Sequence, residues 1–124
     1  MVRAGIDAYN RRDLDAILQH MASDFVFDRS RSISIERGVL TLDEFRRWMD
    51  DVWATFEVHR FEADEFIEAG EDVVVPVTVH ARGRDGIEAR AHTAVVYTFR
   101  DGAVTRITMY QGLRDALEAA GLRE

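Results

Sequence analysis

Three side chains in this chain could do proton chemistry. Asp28 and Arg29 are adjacent, and His59 alternates with its neighbours so that it shares a face with Phe61 and Ala63. A carboxylate beside a guanidinium can act as a general base, with the arginine holding the carboxylate, phosphate or enolate oxygen that forms. An imidazole facing an apolar interior can give or take a proton near neutral pH. The catalytic candidates are therefore Asp28 or His59 as acid/base and Arg29 as oxyanion partner. The plainer alternatives are a surface pair beside Arg31 and a hydrogen-bonded core histidine, and the residues leave both open. His80 and His92 fall on the opposite strand parity, with no acid expected to join them, so no metal site is expected.

The residues that would surround such a site come from Glu88–Gln111, which is expected to form two strands joined by Arg100-Asp101-Gly102. Asp-Gly between alternating apolar runs is a strong hairpin signal. A two-residue loop would set Val95 opposite Thr108 and Tyr97 opposite Arg106. A three-residue loop with Gly102 as a bulge sets Val95 opposite Ile107, Thr93 opposite Met109 and Ala91 opposite Gln111. Only the second sorts the faces, so it is the expected register. One face then carries Thr93, Val95, Tyr97, Ile107, Met109 and Gln111, and a ligand should lie against it. The other carries Arg90, His92, Ala94, Val96, Thr98, Arg106, Thr108 and Tyr110. The first face offers no carboxylate. A pocket against it would be apolar, with Thr93, Tyr97 and Gln111 as its few polar groups.

Upstream, Val2, Ile6 and Tyr9 predict a helix over 2–10, and Asp13 caps a second helix whose stripe is Leu14, Ile17, Leu18 and Met21. Phe25–Phe27 predict a brief strand, and 28–37 a polar loop. Thr41-x-x-Glu44 is a capping-box pattern, followed by a helix with Phe45, Trp48, Met49, Val52, Trp53 and Phe56 at helical spacing. From Phe56 the period becomes two. Val73–His80 alternates around Pro76, the one proline, which suggests an edge or a bulge. Leu113–Ala120 predicts a last short helix, with Gly121 as its C-cap. Helices followed by a meander make an α+β domain spanning 1–124, with three N-terminal helices over a curved, mostly antiparallel sheet.

The chain has 124 residues, a net charge of −7 and no cysteine. The acidic balance argues against nucleic acid and anionic lipid as partners. No apolar run approaches a membrane span, and the start lacks a signal-peptide pattern. With no cysteine, a cytoplasmic protein is expected. No phosphate-loop, dinucleotide or nucleophile-elbow motif occurs, and no cofactor is expected.

Four stretches carry a family resemblance: Ala8–Ala16 (AYNRRDLDA), Phe66–Val74 (FIEAGEDVV), Val96–Gly102 (VYTFRDG) and Asp115–Gly121 (DALEAAG). With the element order, the chain resembles the nuclear transport factor 2-like superfamily, specifically its SnoaL-like proteins. That resemblance implies a cone-shaped, cystatin-like fold enclosing a pocket. It places Tyr9, Met21, Met49 and Trp53 on the pocket's helical side, beside Val95, Tyr97, Met109 and Gln111 on the sheet. It also implies a homodimer through the outer sheet face. The superfamily includes isomerases, cyclases, dehydratases, hydrolases and non-catalytic binders. Against ketosteroid isomerase, the base position falls on Arg29, the protonated acid on Val95 and the tyrosine near Gly5. That mechanism is therefore not implied, only the pocket's location. Two readings follow: a cofactor-free isomerase, cyclase or hydrolase acting on a small apolar molecule, or a non-catalytic ligand-binding or protein-interaction domain.

Overall fold

The computed structural model describes residues 2–31 and 38–121. The chain runs α1 (Val2–Asn10), α2 (Leu14–Leu18), β1 (Met21–Arg31), β2 (Val39–Thr41), α3 (Leu42–Thr55), β3 (Phe56–Ala63), β4 (Ile67–Ala69), β5 (Asp72–Gly83), β6 (Glu88–Arg100), β7 (Ala103–Tyr110) and α4 (Leu113–Ala119). Seven strands form one sheet in the order β2-β1-β7-β6-β5-β3, with β4 paired to β5 beside β3. All neighbours are antiparallel except β1 and β7, which run parallel. Among the described residues no helix is long and apolar enough to cross a membrane.

The helix most clearly written in the sequence is α3. Thr41 Oγ1 accepts from the Glu44 N–H at 3.3 Å, and the Glu44 carboxylate accepts from the Thr41 N–H at 3.0 Å. This reciprocal cap satisfies two of the donors that a helix start leaves open. The other end of α3 is closed from a distance. Arg12 donates to the carbonyls of Trp53, Phe56 and Glu57 at 2.9–3.0 Å. Arg12 itself has φ +58, a left-handed turn that sends its side chain from the α1–α2 junction back to α3.

The hairpin differs from expectation in an instructive way. Asp101 (φ +53) and Gly102 (φ +79) form a two-residue turn of the mirror-image type that matches strand twist, with Arg100 opposite Ala103. One step further, Phe99 pairs with Val104 but Thr98 pairs with Arg106, which leaves Thr105 as an extra residue on β7. This is a β-bulge. Thr105 Oγ1 donates to the Thr98 carbonyl there at 3.2 Å. Beyond the bulge Val95 faces Met109 and Tyr97 faces Ile107, two residues away from the expected register. A slip of two keeps every side chain on its face, so the expected division into faces stands although the pairing does not. Thr93 and Ala91 have no β7 partner, because β7 ends at Tyr110 opposite Ala94.

Other boundaries shift for similar long-range reasons. The second helix ends at Leu18, and Met21 begins β1 because it pairs with Val104 of β7. β1 runs eleven residues rather than three, zipped between β2 and β7. Part of the predicted polar loop, 28–31, is therefore strand, while 32–37 lie outside the described residues. Pro76 pairs with Ala94 on one side. On the other its carbonyl accepts from Asp64 N–H, in the gap between β3 and β4, where a missing N–H is tolerated.

The first three helices cover one sheet face, around buried Phe25, Phe45, Met49, Val75, Val77 and Val95. α4 lies on the opposite face, where Ala116 packs with Val74, Ala94 and Val96 and with the flank of Tyr110. The apolar centre of the face expected to meet a second subunit is thus covered by the chain's own last helix. Nearby, Glu62 reaches His80 at 3.2 Å, although no acid was expected to join it, and Thr78 shares a hydrogen bond with His92. The two strands carrying Glu62 and His80 pair so that these residues lie one step apart diagonally, which the β5 pattern alone does not reveal.

α1 is held on β3 by Asn10, which behaves like a neighbouring strand. Its amide donates to the Phe61 carbonyl and its oxygen accepts from the Phe61 N–H, both at 2.9 Å. Asn10→Ala leaves both backbone groups on the sheet edge without a protein partner. It should lower unfolding free energy by about 1–2 kcal/mol in urea denaturation, with an unchanged m-value.

Candidate functional site

The helices and the sheet bound a cavity of about 70 Å³. Tyr9 and Ile6 reach it from α1, Met49 and Phe45 from α3, and Val95, Tyr97, Ile107 and Met109 from the central hairpin. Met21 lines it from the start of β1. Six of the expected contacts therefore surround one space: Tyr9, Met21, Met49, Val95, Tyr97 and Met109. Trp53 packs against the Tyr9 ring at 5.3 Å between centroids, one layer behind the wall. Gln111 is exposed beyond the end of β7. The wall also includes Gly5, Ile17, Phe27, Trp48, Phe61 and Val77. Phe27 and Trp48 were legible as apolar-stripe residues, but nothing in their spacing distinguishes a cavity wall from solid core.

Three of the chain's four methionines, Met21, Met49 and Met109, stand on this wall. Unbranched thioethers re-pack at low cost, so the space can widen. No carboxylate, lysine, arginine or histidine lines it. Its one hydroxyl without a hydrogen-bond partner among the described residues belongs to Tyr97. Burial pushes the Tyr97 phenol well above its ordinary pKa, so it stays protonated and can donate.

The three candidate catalytic groups stand apart. Asp28 and Arg29 are consecutive strand residues and therefore point to opposite faces. Phe25 and Phe27 face the helices, so Asp28 faces outward, opposite Thr108 of β7. There its carboxylate accepts from the Ser30 N–H at 2.9 Å, the Ser30 hydroxyl at 2.5 Å and Arg106 Nη2 at 2.5 Å. Burial alone would raise its pKa, but the Ser30 and Arg106 bonds outweigh it and hold Asp28 below the usual carboxylate range. It is a pinned anion, a poor proton acceptor. Arg29 is half-buried, donates its backbone N–H to the Gly38 carbonyl at 2.9 Å, and lies close enough to Glu44 for its charge to act there. Neither residue lines the cavity.

His59 sits behind the wall. Its Nδ1 is 2.8 Å from the Tyr9 hydroxyl, and the rings of Tyr9, Phe56 and Phe61 surround it. Burial first, and the Arg12 charge second, push its pKa down to about 4, so it is neutral at pH 7. Burial also raises the Tyr9 phenol far above its usual value. A neutral phenol beside a neutral imidazole means that Tyr9 donates and Nδ1 accepts, which places the imidazole proton on Nε2. The buried Trp53 indole N–H, which makes no well-formed hydrogen bond, also favours charge on the Tyr9 oxygen. Among the described residues no three His, Asp or Glu side chains converge as metal ligands would.

The sequence pattern of the SnoaL-like domain matches residues 2–107. The chain belongs to the SnoaL-like family. Among curated proteins none matches it by sequence. Solved structures agree with the fold of this SnoaL-like chain. An NTF2-like protein of unknown function from Burkholderia pseudomallei is 26% identical, with TM-score 0.78, over 94% of this chain and 92% of that one. AclR of Streptomyces galilaeus, described as a candidate hydroxylase, is 20% identical with TM-score 0.75, over 99% and 83%. A candidate polyketide cyclase from Pseudomonas putida is 21% identical with TM-score 0.69, over 94% and 92%. Others are described as ketosteroid isomerase-like and cystatin folds.

The neutral state of His59 has a consequence for stability. Unfolded, the imidazole titrates near 6.5; folded, near 4. Between those values the unfolded chain binds the extra proton, so stability is full above about pH 6.5 and falls as pH drops toward 4. Chemical denaturation across this window should show a loss of roughly 2–3 kcal/mol. In His59→Gln the slope over the same window should be distinctly shallower.

Proposed function

We propose that this SnoaL-like domain binds a small, mostly apolar organic molecule between α1, α3 and the central hairpin, anchored by one hydrogen bond from Tyr97. The observation that carries this reading is the Tyr97 hydroxyl, a protonated donor that has no partner among the described residues and opens on an otherwise apolar space. A phenol that lines an apolar cavity ordinarily finds an acceptor there. A ligand carbonyl, ether or phenol oxygen would supply it. The methionine wall fits an occupant larger than the unliganded space, because a ring-bearing molecule needs the walls to give.

Gly5 supports the same reading. It lies inside α1, where glycine costs about 1 kcal/mol against alanine. It lines the cavity, is half-buried, and a Cβ built there would meet nothing within 4 Å. A position that could take a better helix former without a clash keeps its space open instead.

A second reading, acid–base catalysis, is favoured by one observation: Tyr9 lines the cavity while its hydroxyl bonds a neutral imidazole. On that reading His59 and Tyr9, rather than Asp28 and Arg29, carry the proton. The two readings share the cavity and differ in whether the bound molecule changes.

The test uses a panel of aromatic ketones and the matching hydrocarbons, with binding followed by NMR or calorimetry. Tyr97→Phe should weaken the ketones about ten-fold and leave the hydrocarbons unchanged. Equal loss for both would refute the anchoring role. Gly5→Leu should raise the unfolding midpoint and weaken every probe at least ten-fold; tight binding in that variant would move the site elsewhere. For any probe that is turned over, His59→Gln should abolish turnover and spare binding, whereas Asp28→Asn should leave turnover unchanged.

A further inference from the structure

We infer that the cleft between α1 and the free edge of β3 binds a small zwitterion, an amino acid being the simplest, through Arg3, Arg60 and Asp7. The cleft has a volume of about 270 Å³. It adjoins the apolar cavity, with Ile6 and Phe61 lining both spaces as a shared wall. The chemistry on the two sides of that wall is opposite. No acid, lysine, arginine or histidine lines the cavity, whereas Arg3, Arg60, Asp7, Glu62 and His80 all line the cleft. Glu62 and His80 answer each other at 3.2 Å. The other three make no ion pair among the described residues. Arg3 and Asp7 are four residues apart on α1, a spacing at which opposite charges commonly meet. Arg3 instead stacks on the Phe66 ring, with its guanidinium carbon 4.7 Å from the ring centroid. Stacking fixes the guanidinium plane and uses none of its five N–H donors.

The sheet edge adds a peptide group to this set. Asn10 already occupies the edge at Phe61, meeting both its N–H and its carbonyl. By the alternation of an antiparallel ladder, the next N–H and C=O to turn outward are those of Ala63, which lines the cleft. The following N–H, of Asp64, turns back to the Pro76 carbonyl. One open peptide unit is too short to seat an added strand, which selects a small molecule over a peptide. Charge then selects its kind. A bare anion between the two arginines would leave Asp7 facing it, and a bare cation at Asp7 would face the arginines. A zwitterion answers both. Its carboxylate takes the forked N–H donors of Arg3 and Arg60, and its ammonium donates to Asp7 and to the Ala63 carbonyl.

The test is an NMR titration with a panel of α-amino acids, and with propionate and ethylamine, which each carry one of alanine's two charges. The Ala63 amide and the Asn10 side-chain amide should shift, while the methyl signals of Met21, Met49 and Met109 in the cavity should not. The amino acids that bind should do so at least about ten-fold more tightly than propionate or ethylamine. Arg3→Gln and Arg60→Gln should each weaken amino-acid binding about ten-fold. Asp7→Asn should weaken it as much without weakening propionate, with circular dichroism showing that each variant folds. No shift at Ala63 or Asn10 with any member of the panel, propionate bound as tightly as the amino acids, or variants that bind like the parent would each overturn the inference.

Discussion

One extra residue in β7 governs which side chains meet beneath the helices. The Asp101-Gly102 turn, continued without interruption, would put Arg106 beside Tyr97 and Thr108 beside Val95, with charges in the core and apolar groups in water. Thr105 absorbs the mismatch. Its bulge advances β7 by one residue, so that Ile107 and Met109 face inward with Tyr97 and Val95. β1 then aligns in parallel with the corrected strand, Phe27 with Ile107 and Asp28 with Thr108. The apolar wall that β7 contributes to the cavity follows from that single offset.

The same offset sorts the electrostatics. Arg106 and Asp28 meet on the outer face, where Ser30 completes the carboxylate's shell. No ionised group is left on the cavity wall. Where burial perturbs titratable groups on the inner side, it does so toward neutrality: Tyr9 and Tyr97 are pushed up, and His59 down. An apolar interior of this kind strengthens a hydrogen bond and penalises charge. The acidic surface and the pinned Asp28 stand outside that chemistry.

Positioning of the neutral pair depends on groups far from the cavity. Asn10 fastens α1 to β3 through Phe61, which brings Tyr9 and His59 together although they are fifty residues apart. Arg12, two residues later, closes the end of α3 and adds the charge that helps keep His59 unprotonated. One short segment, Tyr9 to Arg12, therefore places a wall residue, an edge pairing, a helix cap and an electrostatic influence. That same segment is part of the stretch through which the family resemblance was recognisable.

What could be read from the residues alone was whatever repeats locally. The capping box and aromatic stripe located α3, alternation divided β6 and β7 into an inner and an outer face, and Asp-Gly located the turn. Those signals have periods of two or 3.6 residues and survive a register error of two, which is why Val95, Tyr97 and Met109 were placed on the right face through a wrong pairing. Tertiary structure decided what no period encodes: the bulge at Thr105, the partnership of Asp28 with Arg106, the neutral bond between Tyr9 and His59, and the landing of α4 on the outer face. Each depends on which distant strand becomes a neighbour and in which direction it runs. A short local window carries no record of that choice, because it is settled by the burial and hydrogen bonding of the whole sheet at once.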